Sequence, residues 1–152
     1  HVVLSKYFAS YVTYLILWIP AFFHFKLFTM ITDVPPPFSS GELVGVFSIL
    51  ALMGALFIAF GCLASCLTSS QIIAGVVCVG IIFVHFLLGL ITFFYGDQID
   101  AAPFFSFISS REHLATFSRG LIDTRPVIYY LTTTSFTLFI THHLLDYRRW
   151  KP

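Results

Sequence analysis

Four long apolar runs, parted by short polar breaks, set the outline of this chain. They fall at about Tyr7–Ile31, Leu43–Leu67, Ile72–Tyr95 and Val127–Leu145, each near the roughly 20 residues that a helix needs to cross a bilayer. Between Glu42 and Asp97 there is no Asp, Glu, Lys or Arg, which is too long a stretch for one crossing and about right for two. The break "LTSSQ" inside it is short enough to make the second and third runs antiparallel neighbours. Pro20 withdraws one backbone donor from the first run and predicts a kink there. Three successive prolines at 35–37, followed by Ser39, Ser40 and Gly41, mark the loop before the second run.

The connection from 96 to 125 differs from the other breaks. It holds Arg111, Glu112, His113, Arg119, Asp123 and Arg125, while Phe104, Phe105, Phe107, Ile108, Leu114, Phe117, Leu121 and Ile122 recur at spacings of three and four. Two short amphipathic helices fit residues 100–122, the second over about Ser110–Arg119, with Ser109 or Ser110 ahead of Glu112 as its N-cap and Gly120 as its stop. Both are too short to cross, so they lie at the interface or dip into it. The pattern as a whole predicts an all-α, polytopic membrane bundle with four transmembrane helices and a short helical hairpin before the last.

Composition agrees with this. The 152 residues are 58% hydrophobic and only 10% charged, far from the quarter or so of charged residues in soluble domains. Few, scattered basic residues and a net charge of +1 give no case for nucleic acid. Cys62, Cys66 and Cys78 stand inside apolar runs, where small, inert side chains are expected rather than a disulfide framework. The chain opens on His1 with no secretory leader pattern behind it, so the expectation is a segment of a longer protein. Four crossings put both ends on one side. Lys and Arg divide evenly between the two sides, while the cluster Arg148, Arg149, Trp150 and Lys151 at a helix end favours a cytoplasmic C-terminus.

The run "EHLATFSRGLIDTRPVIYYLTTTSFTLFITHHLLDYRRW" carries Glu112, His113, Phe117, Arg119, Gly120, Asp123, Tyr129, Tyr130, Arg148, Arg149 and Trp150, and "GCLASCLTSSQIIA" carries Gly61, Ser65, Leu67, Thr68, Gln71, Ile72 and Ala74. In order and spacing these resemble the C-terminal part of the permease subunits of ABC-2 type transporters, especially the branch with the gliding-motility-associated permeases. The resemblance implies that residues 1–152 hold helices three to six of a six-helix subunit in a bacterial inner membrane. Both ends would be cytoplasmic, the charged hairpin external, and Arg148, Arg149 and Trp150 a cytoplasmic anchor. It further implies an exporter built with a second permease copy and a separate ABC ATPase, which holds the ATP and Mg. The hairpin residues Glu112, His113, Phe117, Arg119, Gly120 and Asp123 then have two readings, an external gate or substrate contact and a structural amphipathic plug.

No catalytic motif stands in the chain. Lys6, Lys26 and Lys151 lie in no phosphate-cradling glycine loop, and neither a G-x-S-x-G elbow nor an H-E-x-x-H pair occurs. His24 and His85 fall inside apolar runs at similar depth, so a membrane haem or metal redox protein stands as the rival reading, against neutral histidines bonded to neighbouring helices. A structural membrane protein without transport is the other rival. His142 or His143 is expected to meet Asp146 within one helical turn. Ala51, Ala55, Ala59, Gly61 and Ser65 form a small-residue stripe, either a helix-packing surface or chance in an Ala- and Gly-containing helix.

Overall fold

The computed structural model describes residues 2–32, 38–95 and 102–149. They form α1 (Val2–Leu17), α2 (Ile19–Thr32), α3 (Ser40–Leu67), α4 (Gln71–Tyr95), α5 (Ala102–Ile108), α6 (Ser110–Phe117) and α7 (Thr124–Arg149), with no strand among the described residues. The kink expected at Pro20 is a joint between α1 and α2. Pro20 has no N–H for the Ile16 carbonyl and its ring crowds it. The ladder tightens there, with the Trp18 N–H on the Leu15 carbonyl at 3.1 Å and the Ala21 N–H on the Trp18 carbonyl at 3.1 Å.

α3 is the central helix and packs against α1, α4, α6 and α7. It starts at Ser40, three residues earlier than apolarity alone suggests, because Ser39 and Glu42 form a reciprocal capping box. The Glu42 N–H donates to Ser39 Oγ at 3.3 Å and the Ser39 N–H donates to Glu42 Oε2 at 2.7 Å. Ser39→Ala is expected to destabilise the protein by about 1 kcal/mol, whereas Ser39→Asp, which keeps an acceptor, changes it little. Denaturant titration in detergent checks this, and equal stability of the two variants would count against the cap.

An aromatic stripe joins the first two helices to α3. Tyr7, Tyr11 and Tyr14 follow one another along α1 and lead to Trp18 at the joint, and Trp18 and Phe22 both meet Phe47 of α3. Tyr7 Oη donates to the Ala55 carbonyl at 3.3 Å and Tyr14 Oη to the Leu50 carbonyl at 2.9 Å, so both phenols find partners on the α3 backbone. Where α3 meets α6 and α7, Ile49, Leu56, Phe117 and Tyr130 are fully buried.

Three helical stretches, Val2–Thr32, Ser40–Leu67 and Gln71–Ile91, are long and apolar enough to cross a membrane. Their outer faces are apolar too: Leu17, Met30 and Ile72 are 71%, 71% and 81% exposed, a surface suited to lipid rather than water. α7 is long enough at 26 residues, but its hydroxyl-rich run sets it apart from those three. Much of that polarity is hidden in the helix itself. Thr132, Ser135, Thr137 and Thr141 donate to the carbonyls of Ile128, Leu131, Thr133 and Thr137 at 2.7–2.8 Å. Pro126 lies in the first turn of α7, where its missing N–H is one that would have no helical partner anyway. Asp123 Oδ1 accepts from the Arg125 N–H at 3.0 Å just ahead of it.

Candidate functional site

α5 and α6 do not lie flat across the ends of the longer helices. Ser109, the residue between them, is 1% exposed and sits against Gly89 of α4, where an added Cβ would meet the Ser109 Cα at 2.9 Å. At the other end of α6, the Phe117 backbone carbonyl fills the space that a side chain at Gly45 of α3 would need. Gly120 then turns the chain with φ 74°, its N–H on the Phe117 carbonyl at 3.0 Å. Two glycines on two long helices therefore allow the short pair to enter the bundle. His85, which meets the first residue of α6, stands roughly 15 Å before the end of α4 at 1.5 Å per residue.

That entry assembles a buried polar cluster from three parts of the chain. α4 brings His85, the short pair brings Ser110 and His113, and α7 brings Tyr129 and Tyr130. His85 Nε2 lies 3.0 Å from Ser110 Oγ, Tyr130 Oη donates to Ser110 Oγ at 3.1 Å, and His113 Nδ1 lies 3.3 Å from Tyr130 Oη. The Tyr129 ring stacks on His85 at 6.2 Å between centroids, with its Oη 3.5 Å from His85 Nδ1. Tyr130 Oη and Ser110 Oγ thus each meet two partners, and the tautomers of His113 and His85 set which atoms donate. At this burial each unmade bond would cost about 1–3 kcal/mol, so the cluster fixes how α4, α6 and α7 meet.

Burial lowers the pKa of His113, and the neighbouring His85 lowers it further; Asp123 and the Phe107 backbone oppose both. The neutral ring is therefore favoured in the folded state. Below about pH 6.5 the unfolded chain takes up a proton that folded His113 resists, so stability should fall as pH drops from there toward the lowered folded value. Thermal unfolding between pH 5 and 8 is expected to show this slope in the wild type and a smaller one in His113→Asn. Superimposable profiles would contradict it.

Of the hairpin residues singled out from sequence, His113 and Phe117 are buried, Glu112, Gly120 and Asp123 are half-buried, and Arg119 is exposed. In the small-residue stripe Ala55 and Ala59 are buried, Ala51 is half-buried, Gly61 faces Cys78 of α4, and Ser65 is exposed. Trp150 and the side chains of Arg148 and Arg149 lie outside the described residues. The structure leaves His24 exposed on α2 and buries His85 with His113 instead. His142 Nδ1 lies 3.2 Å from Asp146 Oδ2, one turn along α7. Gly45 and Gly89 escape sequence reading, since a glycine in an apolar helix carries no sign of what approaches it. No protein-family model, curated protein or solved structure matches this chain.

Proposed function

We propose that this chain is the C-terminal part of the permease subunit of an ABC-2 type exporter, with α7 as a fourth crossing and α5–α6 as a hairpin entering from the external side. The observation that carries the proposal is the seating of the short pair: the turn at Ser109 reaches down to Gly89 and His85 between longer helices. Non-helical backbone at such depth persists only where protein or a water-filled path surrounds it. A permease has a use for a plug of this kind, because it must close one mouth of its pathway while the other is open.

In this mechanism the hairpin is the external gate. Seated on Gly45 and Gly89, with Ser110 and His113 bonded to α4 and α7, it closes the path; drawn away, it opens it. Glu112, Arg119 and Asp123 lie toward the external water, while Phe117 anchors the hairpin in the apolar core. ATP and Mg act on a separate ATPase, two permease copies frame the pathway, and both ends of this segment are cytoplasmic in the inner membrane. ATP binding drives the gate only as far as its interaction energy differs between the two states.

Co-expression of the full-length protein with candidate ABC ATPases from the same source tests the assignment. A complex that survives detergent extraction and size-exclusion chromatography is expected. Folded, membrane-inserted protein that retains no ATPase would overturn it.

A further inference from the structure

We propose that the cleft between α3, α4 and α6 binds an anionic phospholipid of the surrounding bilayer, with one acyl chain in the cleft and the phosphate on Arg111. The proposal needs α3 and α4 to cross a membrane and is independent of transport. The cleft encloses about 410 Å³, within the range of small-molecule sites, and its wall is almost wholly apolar. Phe57 of α3, Val79, Phe83 and Phe86 of α4, and Leu114 of α6 line it. Val79 and Phe83 are 67% and 59% exposed, so the cleft opens sideways, where the bilayer lies.

Arg111 supplies the second half of the site. It leaves α6 next to Ser110, which is bonded to His85, yet its guanidinium carbon stands 4.4 Å over the ring of Phe93. Phe93 is in the last turn of α4, roughly 12 Å nearer the helix end than His85 at 1.5 Å per residue. The side chain thus climbs along the span and delivers its charge near the depth where headgroups begin, as long basic side chains do. The aromatic ring fixes one face of the guanidinium and leaves its in-plane N–H donors for phosphate oxygens. Among the described residues no carboxylate stands within ion-pair distance of it. A fixed cation at the end of an open apolar slot matches a phospholipid end to end. A lipid with net negative charge is favoured over a zwitterionic one, whose own cation competes for the phosphate.

Native mass spectrometry of the full-length protein, released from detergent holding equal amounts of phosphatidylglycerol and phosphatidylcholine, tests this. The first bound lipid is expected to be phosphatidylglycerol by about fivefold, the preference one arginine supplies near an anionic surface. Arg111→Gln should bring the ratio to about one, and Val79→Trp, which fills the open side of the cleft, should remove the bound lipid. Lys26→Gln on α2 should leave the preference unchanged, and glycerol 3-phosphate should displace nothing. An equal ratio in the wild type, a preference that survives Arg111→Gln, lipid retained in Val79→Trp, or displacement by the soluble phosphate would each overturn the proposal.

Discussion

Gly89→Val is expected to unseat α5 and α6 from the bundle. A Cβ at this position meets the Ser109 Cα at 2.9 Å, and backbone cannot swing aside as the tip of a side chain can. Overpacking of this kind costs about 1–3 kcal/mol. Moving Ser109 also draws Ser110 away from His85 and Tyr130, which leaves buried groups unpaired at about 1–3 kcal/mol more. The combined loss is then on the order of 2–6 kcal/mol, enough to open the hairpin or unfold a marginal protein. Gly80 on the same helix is the internal control: nothing lies within 4 Å of its would-be Cβ, so Gly80→Val should differ from wild type by less than about 1 kcal/mol. Denaturant titration in bicelles separates the two, and equal effects would mean that the close approach at Gly89 does not exist in the bilayer.

Tyr130→Ala should destabilise by about 3–5 kcal/mol, because the ring is 0% exposed and packs with Ile49, Leu56 and Phe117. Tyr130→Phe keeps the ring and removes the hydroxyl between His113 and Ser110. Its loss leaves Ser110 and His113 short of that partner at about 1–3 kcal/mol, less than the packing contribution, so the phenylalanine variant should still fold. The hydroxyl matters more for communication. With Tyr130 present, His113→Asn and Ser110→Ala should be non-additive, since both act on one bonded chain. In the Tyr130→Phe background their effects should add. Non-additivity that persists there would show that His113 and Ser110 are coupled by another route.

The long helices were legible because their signal is gross: a charge-free stretch from Glu42 to Asp97, a polar break at its middle and a proline at position 20 act whatever the tertiary context. α3 and α4 accordingly end within a few residues of where apolarity alone would end them. Depth and rotation were harder to read. Counting residues puts His24 and His85 at similar depth, but each residue turns about 100° around a helix, and in a segment apolar on every side nothing says which way a histidine points. His24 is exposed and His85 is buried. The same blindness hides Tyr7, Tyr11 and Tyr14, whose stripe merges into a background of Phe, Leu and Ile. In α6 the charges of Arg111 and Glu112 draw attention to the surface, although the buried face gives Ser110 and His113 to the polar cluster and Phe117 to the apolar core. The capping box at Ser39 and Glu42 was readable in principle from the "SSGE" stretch, where a serine three residues before a glutamate opens an apolar run.

ATP turnover by the co-purified complex in lipid joins the transport proposal to the hairpin in one assay. If the proposal holds, turnover with the wild-type protein should exceed that of the ATPase alone, and Gly89→Val, if retained in the complex, should change it by several-fold because the proposed gate could no longer close. Turnover indifferent both to the permease and to Gly89→Val, with the complex intact, would contradict an ATP-driven gate built from α5 and α6.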